Sequence, residues 1–252
     1  MGPVEAFPPL PERTDRPVLV FGAGNTHVKL AFWDGERCVD FRRLATTDVE
    51  TWLAGPRPDW PVVIVSVVPE VTRRVAEVWQ VPLERILTHN TSGLLSQYRP
   101  PEAMGADRLA NALALKTRGM VPGIVVDCGT ATTLTVLDAT GAVAGGAIAC
   151  GLETAAKALW QGTALLDEVP LVAPEGPWGS STVASLQHGL FEGHVGLVRH
   201  LVERAREALG PETSVVFTGG WGEALAARIP GALSEPLLTL EGGAHFARSL
   251  AD

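Results

Sequence analysis

Val18-Leu19-Val20-Phe21-Gly22-Ala23-Gly24-Asn25-Thr26 is an apolar run that closes on a glycine turn. A shift of 105 positions finds its counterpart, Ile124-Val125-Val126-Asp127-Cys128-Gly129-Thr130-Ala131-Thr132-Thr133. Branched and aromatic side chains in short runs predict strands, and the glycines end them. The first run continues from His27 to Trp33 and reaches the turn pair Asp34-Gly35. The second continues from Leu134 to Leu137, turns around Asp138 to Gly141 and leads into Gly145-Gly146. Under this shift Gly24 falls on Gly129, and Thr26 falls one place before Thr132. Strand, tight turn, strand and hairpin, occurring twice, predict a duplicated α/β chain whose two lobes face each other across a cleft suited to a nucleoside triphosphate.

A bare glycine after a buried strand lets the backbone pass close to a phosphate, while neighbouring amides and threonine hydroxyls donate to its oxygens. Either turn alone is as readily an ordinary hairpin; two at matching positions favour a bracketed polyphosphate. Asp127, at the mouth of the second turn, suits a cation bridging carboxylate and phosphate oxygens. Thr218-Gly219-Gly220 follows the strand Ser214 to Phe217, and its glycine pair suits an adenine or ribose lying against the backbone.

Helical periodicity marks Ala103 to Arg118, with Leu109, Ala112, Leu113 and Leu115 inward and Gly119 as the stop. It also marks Ser181 to Leu209 as one or two helices, with Leu186, Leu190, Val195, Leu197, Val198 and Leu201 inward. Asp107-Arg108 opens the first of these. A carboxylate there is favoured as the anion by the helix dipole, and an arginine fork matches a substrate carboxylate. The bland alternative is a surface pair in a first helical turn.

The chain of 252 residues is 46% hydrophobic and 19% charged, which predicts a sizeable core. A net charge of -8 argues against nucleic acid as a partner. Cys38, Cys128 and Cys150 form no CxxC pair, and together with the lack of a signal or a long apolar run they predict a cytoplasmic protein without a membrane segment. Five prolines fall within residues 1–17, read as a flexible leader. The N-terminal lobe is expected over 18–118, the C-terminal lobe over 119–235, and a segment over 236–252 packing back on the N-terminal lobe.

Gly24-Asn25-Thr26, Ser66-Val67-Val68-Pro69, Gly105-Ala106-Asp107-Arg108, Asp127-x-Gly129-Thr130-Ala131-Thr132-Thr133, Gly145-Gly146-x-Ile148 and Thr218-Gly219-Gly220 occur in the order expected of type III pantothenate kinases, which the chain resembles from Val18 onward. The resemblance implies an actin/Hsp70/sugar-kinase-like (ribonuclease H-like) two-lobe fold working as a homodimer. It implies transfer of the γ-phosphate of ATP, with Mg2+, to pantothenate as the first step towards coenzyme A. Asp107 would be the general base, and Tyr98, Gly105, Arg108 and Thr182 would hold pantothenate, Thr182 from across the dimer interface. Asp127 would bind K+ or NH4+. Gly24, Asn25, Thr26, Lys29, Gly129, Thr130, Thr132 and Thr133 would cradle the phosphates, with Thr218, Gly219 and Gly220 on the nucleotide.

The chain departs from the family in two places. Its first motif has Gly22 where an aspartate is usual, and the internal repeat makes the same point by setting Gly22 on Asp127. His27 is a poor magnesium ligand, and Lys29 supplies a point charge unless the strand turns it to solvent. Cys150 stands where a proline is usual. Three readings stay open: a pantothenate kinase, a non-catalytic relative that binds nucleotide or pantothenate, and a sugar or acetate kinase on the same fold. Trp160, Trp178 and the apolar face of Ser181 to Leu201 read equally as dimer contact or core.

Overall fold

A computed structural model of the chain describes residues 7–10 and 16–250. They divide into two compact units, one of residues up to 118 together with those from 238 onward, the other of residues 119–237.

The first unit begins with β1 (Val18–Ala23), β2 (His27–Trp33) and β3 (Cys38–Ala45), followed by α1 (Val49–Leu53), β4 (Val62–Ser66), α2 (Pro69–Trp79) and α3 (Ala106–Thr117). Its sheet runs β3-β2-β1-β4, with β4 parallel to β1 and the other pairs antiparallel. Strand alternation sends Leu19, Phe21, Leu30, Phe32 and Ile64 to one face, where they bury against Val49 and Leu53 of α1 and Val75 and Trp79 of α2. Each such large apolar side chain contributes about 1.5–3 kcal/mol by leaving water.

The second unit repeats this order as β5 (Gly123–Cys128), β6 (Ala131–Leu137) and β7 (Val143–Cys150). It then adds α4 (Leu152–Gly162), α5 (Thr182–Leu209), β8 (Ser214–Thr218), α6 (Gly222–Ala226) and β9 (Ala232–Ser234), and the chain returns to the first unit with α7 (Leu238–Ser249). The second sheet runs β7-β6-β5-β8-β9, so β8 stands beside β5 as β4 does beside β1. The duplication extends to irregularities. A register shift falls between Phe32 and Trp33 in one sheet and between Val136 and Leu137 in the other. Asp34 and Asp138 each turn the following hairpin by accepting backbone N–H groups on Oδ1, from Glu36 and Arg37 and from Thr140 and Ala142.

The register corrects one equivalence. Three residues, Gly24 to Thr26, join β1 to β2, but only Gly129 and Thr130 join β5 to β6. The counterpart of Thr26 is therefore Thr130. The hydrogen bonds agree, since the Thr26 carbonyl accepts from Thr46 N–H at 3.1 Å and the Thr130 carbonyl from Gly151 N–H at 3.2 Å.

The face of the first sheet opposite α1 and α2 is covered by α7, which also crosses α3. Gly242 lies so close to the Ala110 carbonyl that a Cβ there would overlap the α3 backbone. A Cβ on Gly243 would stand 2.5 Å from Val20 Cγ1 and 2.9 Å from Val65 Cγ2. The helix ends are tied by Arg118, whose Nε donates to Glu241 Oε1 at 2.8 Å.

Helical periodicity placed α3 and α5 well, with two differences. A 3-10 turn over Pro101–Ala103 precedes α3, because Gly105 in extended geometry separates the two. In α5 the inward stripe is Phe191, His194, Val195, Val198 and Val202, which leaves Leu197 40% exposed. Trp160 and Trp178 are exposed as well, so neither is core. The leader expected over 1–17 lies in part outside the described residues, at 1–6 and 11–15. Phe7 does not fit it, since its ring packs edge-on against Trp52 at 5.0 Å and Trp79 at 6.0 Å, and the Pro8 carbonyl accepts from Trp60 Nε1 at 2.8 Å. All three cysteines are free, and no helix among the described residues is long and apolar enough to cross a membrane.

Burial acts to raise the Glu241 pKa, but hydrogen bonds from His245 and Arg118 and the Arg118 charge outweigh it and hold the carboxyl down from 4.5 to about 2. Because the folded value is depressed, the stabilisation is complete above about pH 4.5 and is lost as the pH falls through about 2. Glu241→Gln is expected to lower stability by on the order of 2 kcal/mol at neutral pH. Urea denaturation of both proteins across that pH range checks this, and the gap between them is expected to shrink at the acid end.

Candidate functional site

In the first unit the turn Gly24 to Thr26 and the start of α3 lie at the same end of the sheet. Val67 N–H donates to the Ala23 carbonyl at 3.0 Å, which sets the β4 exit beside the turn. Val67 Cγ1 in turn would stand 3.3 Å from a Cβ on Gly105. That Cβ would also meet Asp107 Oδ1 at 2.6 Å, so glycine at 105 leaves room for the carboxylate. Thr46 braces the turn by donating its hydroxyl to the Gly24 carbonyl at 2.8 Å.

Asp107 Oδ1 accepts from the Arg108 backbone N–H at 2.7 Å. Burial pushes its carboxyl above the usual aspartate value, and the Arg108 amide and guanidinium only partly oppose this. Arg108 is itself buried, and its guanidinium lies over the Tyr98 ring, 5.1 Å from the centroid. Tyr98, Gly105, Asp107 and Arg108 thus form one cluster: a proton acceptor of raised affinity beside a fixed cation. Thr182 lies in the second unit, exposed at the first turn of α5, where Ser181 caps the helix by accepting from Ala184 N–H at 3.2 Å.

In the second unit Asp127 pairs across the strands with Thr133, which places both side chains on one face. Thr133 Oγ1 is buried with no hydrogen-bond partner. A buried hydroxyl in that state costs about 1–3 kcal/mol, and a ligand beside Asp127 would remove the penalty. The carboxylate and hydroxyl are hard oxygen donors that fit an alkali cation or a cation-bound phosphate. Gly129 and Thr130 form the exposed turn beside them, held by Thr154, whose hydroxyl donates to the Thr130 carbonyl at 2.7 Å.

One sequence assignment is corrected here. Thr132 points to the opposite face, where its hydroxyl meets buried His194 Nε2 at 2.8 Å; it holds the core against α5 rather than a phosphate. Thr218, paired with Asp127 across the parallel strands, lies on the same face as that carboxylate and is buried, its hydroxyl 3.5 Å from the Pro236 carbonyl. Gly219 has φ +87°, and a Cβ on it would stand 2.7 Å from both Asp127 Oδ1 and Cys128 N. Its bareness serves the approach to Asp127, and Gly220 alone has open space beside it. Sequence reading missed His194, which carries no motif and reaches Thr132 only through the packing of α5. Burial lowers its pKa, so the ring is neutral at physiological pH.

The equivalent position in the first unit is Gly22 opposite Lys29. A Cβ on Gly22 would stand 2.9 Å from Leu240 Cδ2 of α7, so a side chain there would displace the flexible end of that leucine. Among the described residues no cluster of three or more His, Cys, Asp or Glu is placed to hold a metal. Gly22 offers no oxygen and Lys29 is a cation, so this half of the repeat does not fit a divalent ion.

The family model for type III pantothenate kinase matches residues 18–204. A type III pantothenate kinase from Dehalococcoides mccartyi is 36% identical over 242 residues, covering 87% of this chain and 92% of the relative. Among solved structures, a Baf family transcriptional activator from Campylobacter jejuni superposes with a TM-score of 0.63 at 20% identity, covering 92% of this chain and 98% of that one. A 2-dehydro-3-deoxygalactonokinase protein from Sinorhizobium meliloti superposes with a TM-score of 0.56 at 13% identity, covering 94% and 99%. These likenesses place the fold in the actin/Hsp70/sugar-kinase class.

Thr133→Val is expected to leave thermal stability unchanged or raise it by up to about 1 kcal/mol, because it removes an unsatisfied hydroxyl. Thr132→Val is expected to lower it by about 1–3 kcal/mol, because it leaves the His194 nitrogen unpaired. Chemical denaturation of the two variants separates the face that holds the core from the face that is open to a ligand.

Proposed function

Since the chain belongs to the type III pantothenate kinase family, we propose that it transfers the γ-phosphate of ATP to the primary hydroxyl of pantothenate, making 4'-phosphopantothenate at the start of coenzyme A synthesis. The observation that carries this reading is Asp107, a carboxylate of raised pKa held at the start of α3 beside the Arg108 cation.

The pantothenate carboxylate pairs with Arg108, which is stiffened by its stack on Tyr98, while Gly105 leaves room for the acceptor hydroxyl to approach Asp107. As the hydroxyl oxygen forms its bond to the γ-phosphorus, the bond from that phosphorus to the β-γ bridging oxygen breaks. ADP departs and the hydroxyl proton passes to Asp107. The transition state is loose, so positioning and charge neutralisation do most of the work, and the base adds about 10²–10⁴-fold. A divalent ion accompanies the ATP and neutralises phosphate charge when bound. The turns at Gly24, Asn25 and Thr26 and at Gly129 and Thr130 cradle the phosphates, with Thr133 donating its unsatisfied hydroxyl. Asp127 holds potassium or ammonium. Thr182 reaches pantothenate from the partner subunit of a homodimer, and the enzyme works in the cytoplasm.

A second reading, a pantothenate-kinase-like binding protein without turnover, is favoured by one observation. The first repeat has Gly22 in place of a carboxylate, and the flexible end of Leu240 lies beside it.

Purified protein given pantothenate, ATP, magnesium and potassium is expected to form phosphopantothenate, and Asp107→Asn to reduce kcat by at least about 100-fold. Asp107 must be ionised to act as base, so kcat/KM is expected to fall as the pH drops through a value above the ordinary 3.8 of aspartate. Nucleotide binding without any product at any pH would sink the catalytic reading and leave the binding protein.

A further inference from the structure

Between α4 and α5 the chain runs through residues 163–181, and residues 176–181 turn back along the first two turns of α5. Two ties hold this strap to the helix. Ser185 donates its hydroxyl to the Gly179 carbonyl at 3.3 Å, across a span of six positions. His188 Nε2 lies 3.3 Å from the Gly176 carbonyl, across a span of twelve. Both spans are centred on Thr182, which therefore stands at the apex of a nested pair of contacts. Next to the apex, Ser181 Oγ accepts from Ala184 N–H at 3.2 Å and caps the helix.

Burial does not hold the strap. Of residues 176–181 all but Gly179 are exposed, and Trp178 keeps 76% of its surface in solvent. Gly179 lies so close to α5 that a Cβ on it would overlap the Ala184 carbonyl carbon and the Ser185 nitrogen. Because the ties run from side chains to backbone carbonyls, they fix the path of the chain on the approach to Thr182. A carbonyl only accepts, so the His188 ring ties Gly176 whenever Nε2 carries the proton, while Nδ1 lies 2.9 Å from the Ala184 carbonyl of its own helix. Helix ends fray, and a hydroxyl on an exposed first turn has no fixed place unless something is laid over that turn. Ordering it in advance removes a cost that a ligand would otherwise meet on binding.

We infer that Ser185 and His188 are positioning residues for pantothenate: by tying the strap to α5 they hold the Thr182 hydroxyl ready for it. This rests on the reading of Thr182 as a pantothenate contact, and adds the device that presents it.

Isothermal titration of the whole protein with pantothenate, beside steady-state kinetics, tests the inference. Ser185→Ala combined with His188→Phe is expected to weaken pantothenate binding by about three- to tenfold, with kcat at saturating pantothenate, the KM for ATP and the melting temperature unchanged. Ser185→Thr combined with His188→Gln keeps a hydroxyl and an N–H donor, and is expected to bind within about twofold of wild type. In a Thr182→Ala background the Ala/Phe pair is expected to have no further effect, because the hydroxyl it presents is gone. Gly179→Ala, whose methyl lifts the strap off the helix, is expected to act as that pair does, and decides the matter if the pair fails to fold. Full affinity in the Ala/Phe protein overturns the inference, as does a loss that persists in the Thr182→Ala background, and either leaves the pantothenate reading standing. Thr182→Ala that binds like wild type removes the role of Thr182 and the inference with it. Wild-type protein that binds no pantothenate removes the substrate reading itself.

Discussion

The two-residue period of a pleated strand is the constraint on which the rest depends. Once β1 pairs with β2 and β5 with β6, successive side chains face opposite sides of each sheet, and the side that carries Leu19 and Phe21 or Val126 and Cys128 is not the side that carries Gly22 and Lys29 or Asp127 and Thr133. Val126 and Cys128 go inward and Asp127 outward; Thr132 goes inward to His194 and Thr133 outward, unpaired. Moving the second hairpin by one residue would exchange the face of Thr133 with that of Thr132 and set the core side chains against the wrong layer. The repeated register shift and the two aspartate-led hairpin turns keep both sheets from such a slip.

Within that frame the two units have diverged by substitution rather than by rearrangement. Strand order and pairing are preserved, but the second turn is one residue shorter, and the residue opposite the strand-end position is a lysine in one unit and a threonine in the other. Duplication supplied two copies of a backbone cradle, and each copy has taken a different charge. In the second unit the acid is retained, and glycine at 219 clears the space beside it. In the first, the flexible end of Leu240 from α7 lies against the bare strand end.

Much of this was legible in the sequence, and what was not has physical causes. The strands, their turns and the two long helices announce themselves by period and by glycine. The family motifs name Asp107 and Arg108, but their geometry depends on Tyr98 and Val67, which only tertiary packing brings close. Thr132 and Thr133 are indistinguishable as letters; which of them faces the site depends on the length of the preceding turn, and the shift of 105 holds only up to that turn. His194 and Leu240 act from 62 residues beyond Thr132 and from the far end of the chain, beyond the reach of any local pattern. Leu197 fits the apolar rhythm of α5 yet lies off the buried stripe, because the stripe turns to follow Phe191, Val195, Val198 and Val202. Phe7, embedded in a proline-rich stretch, joins an aromatic cluster that a linear reading does not anticipate.

The bare glycines of α7 also bear on how the chain is made. Gly242 and Gly243 let that helix lie against Ala110, Val20 and Val65, so the first unit lacks one covering layer until α7 is in place. The second unit, by contrast, is one uninterrupted stretch of chain, from 119 to 237, all of it synthesised before α7. Domains settle as units while the ribosome is still working. Here the part translated first is completed last: one face of its sheet waits, with its apolar side chains open to solvent or to a chaperone, until the second unit has emerged and the closing helix can dock.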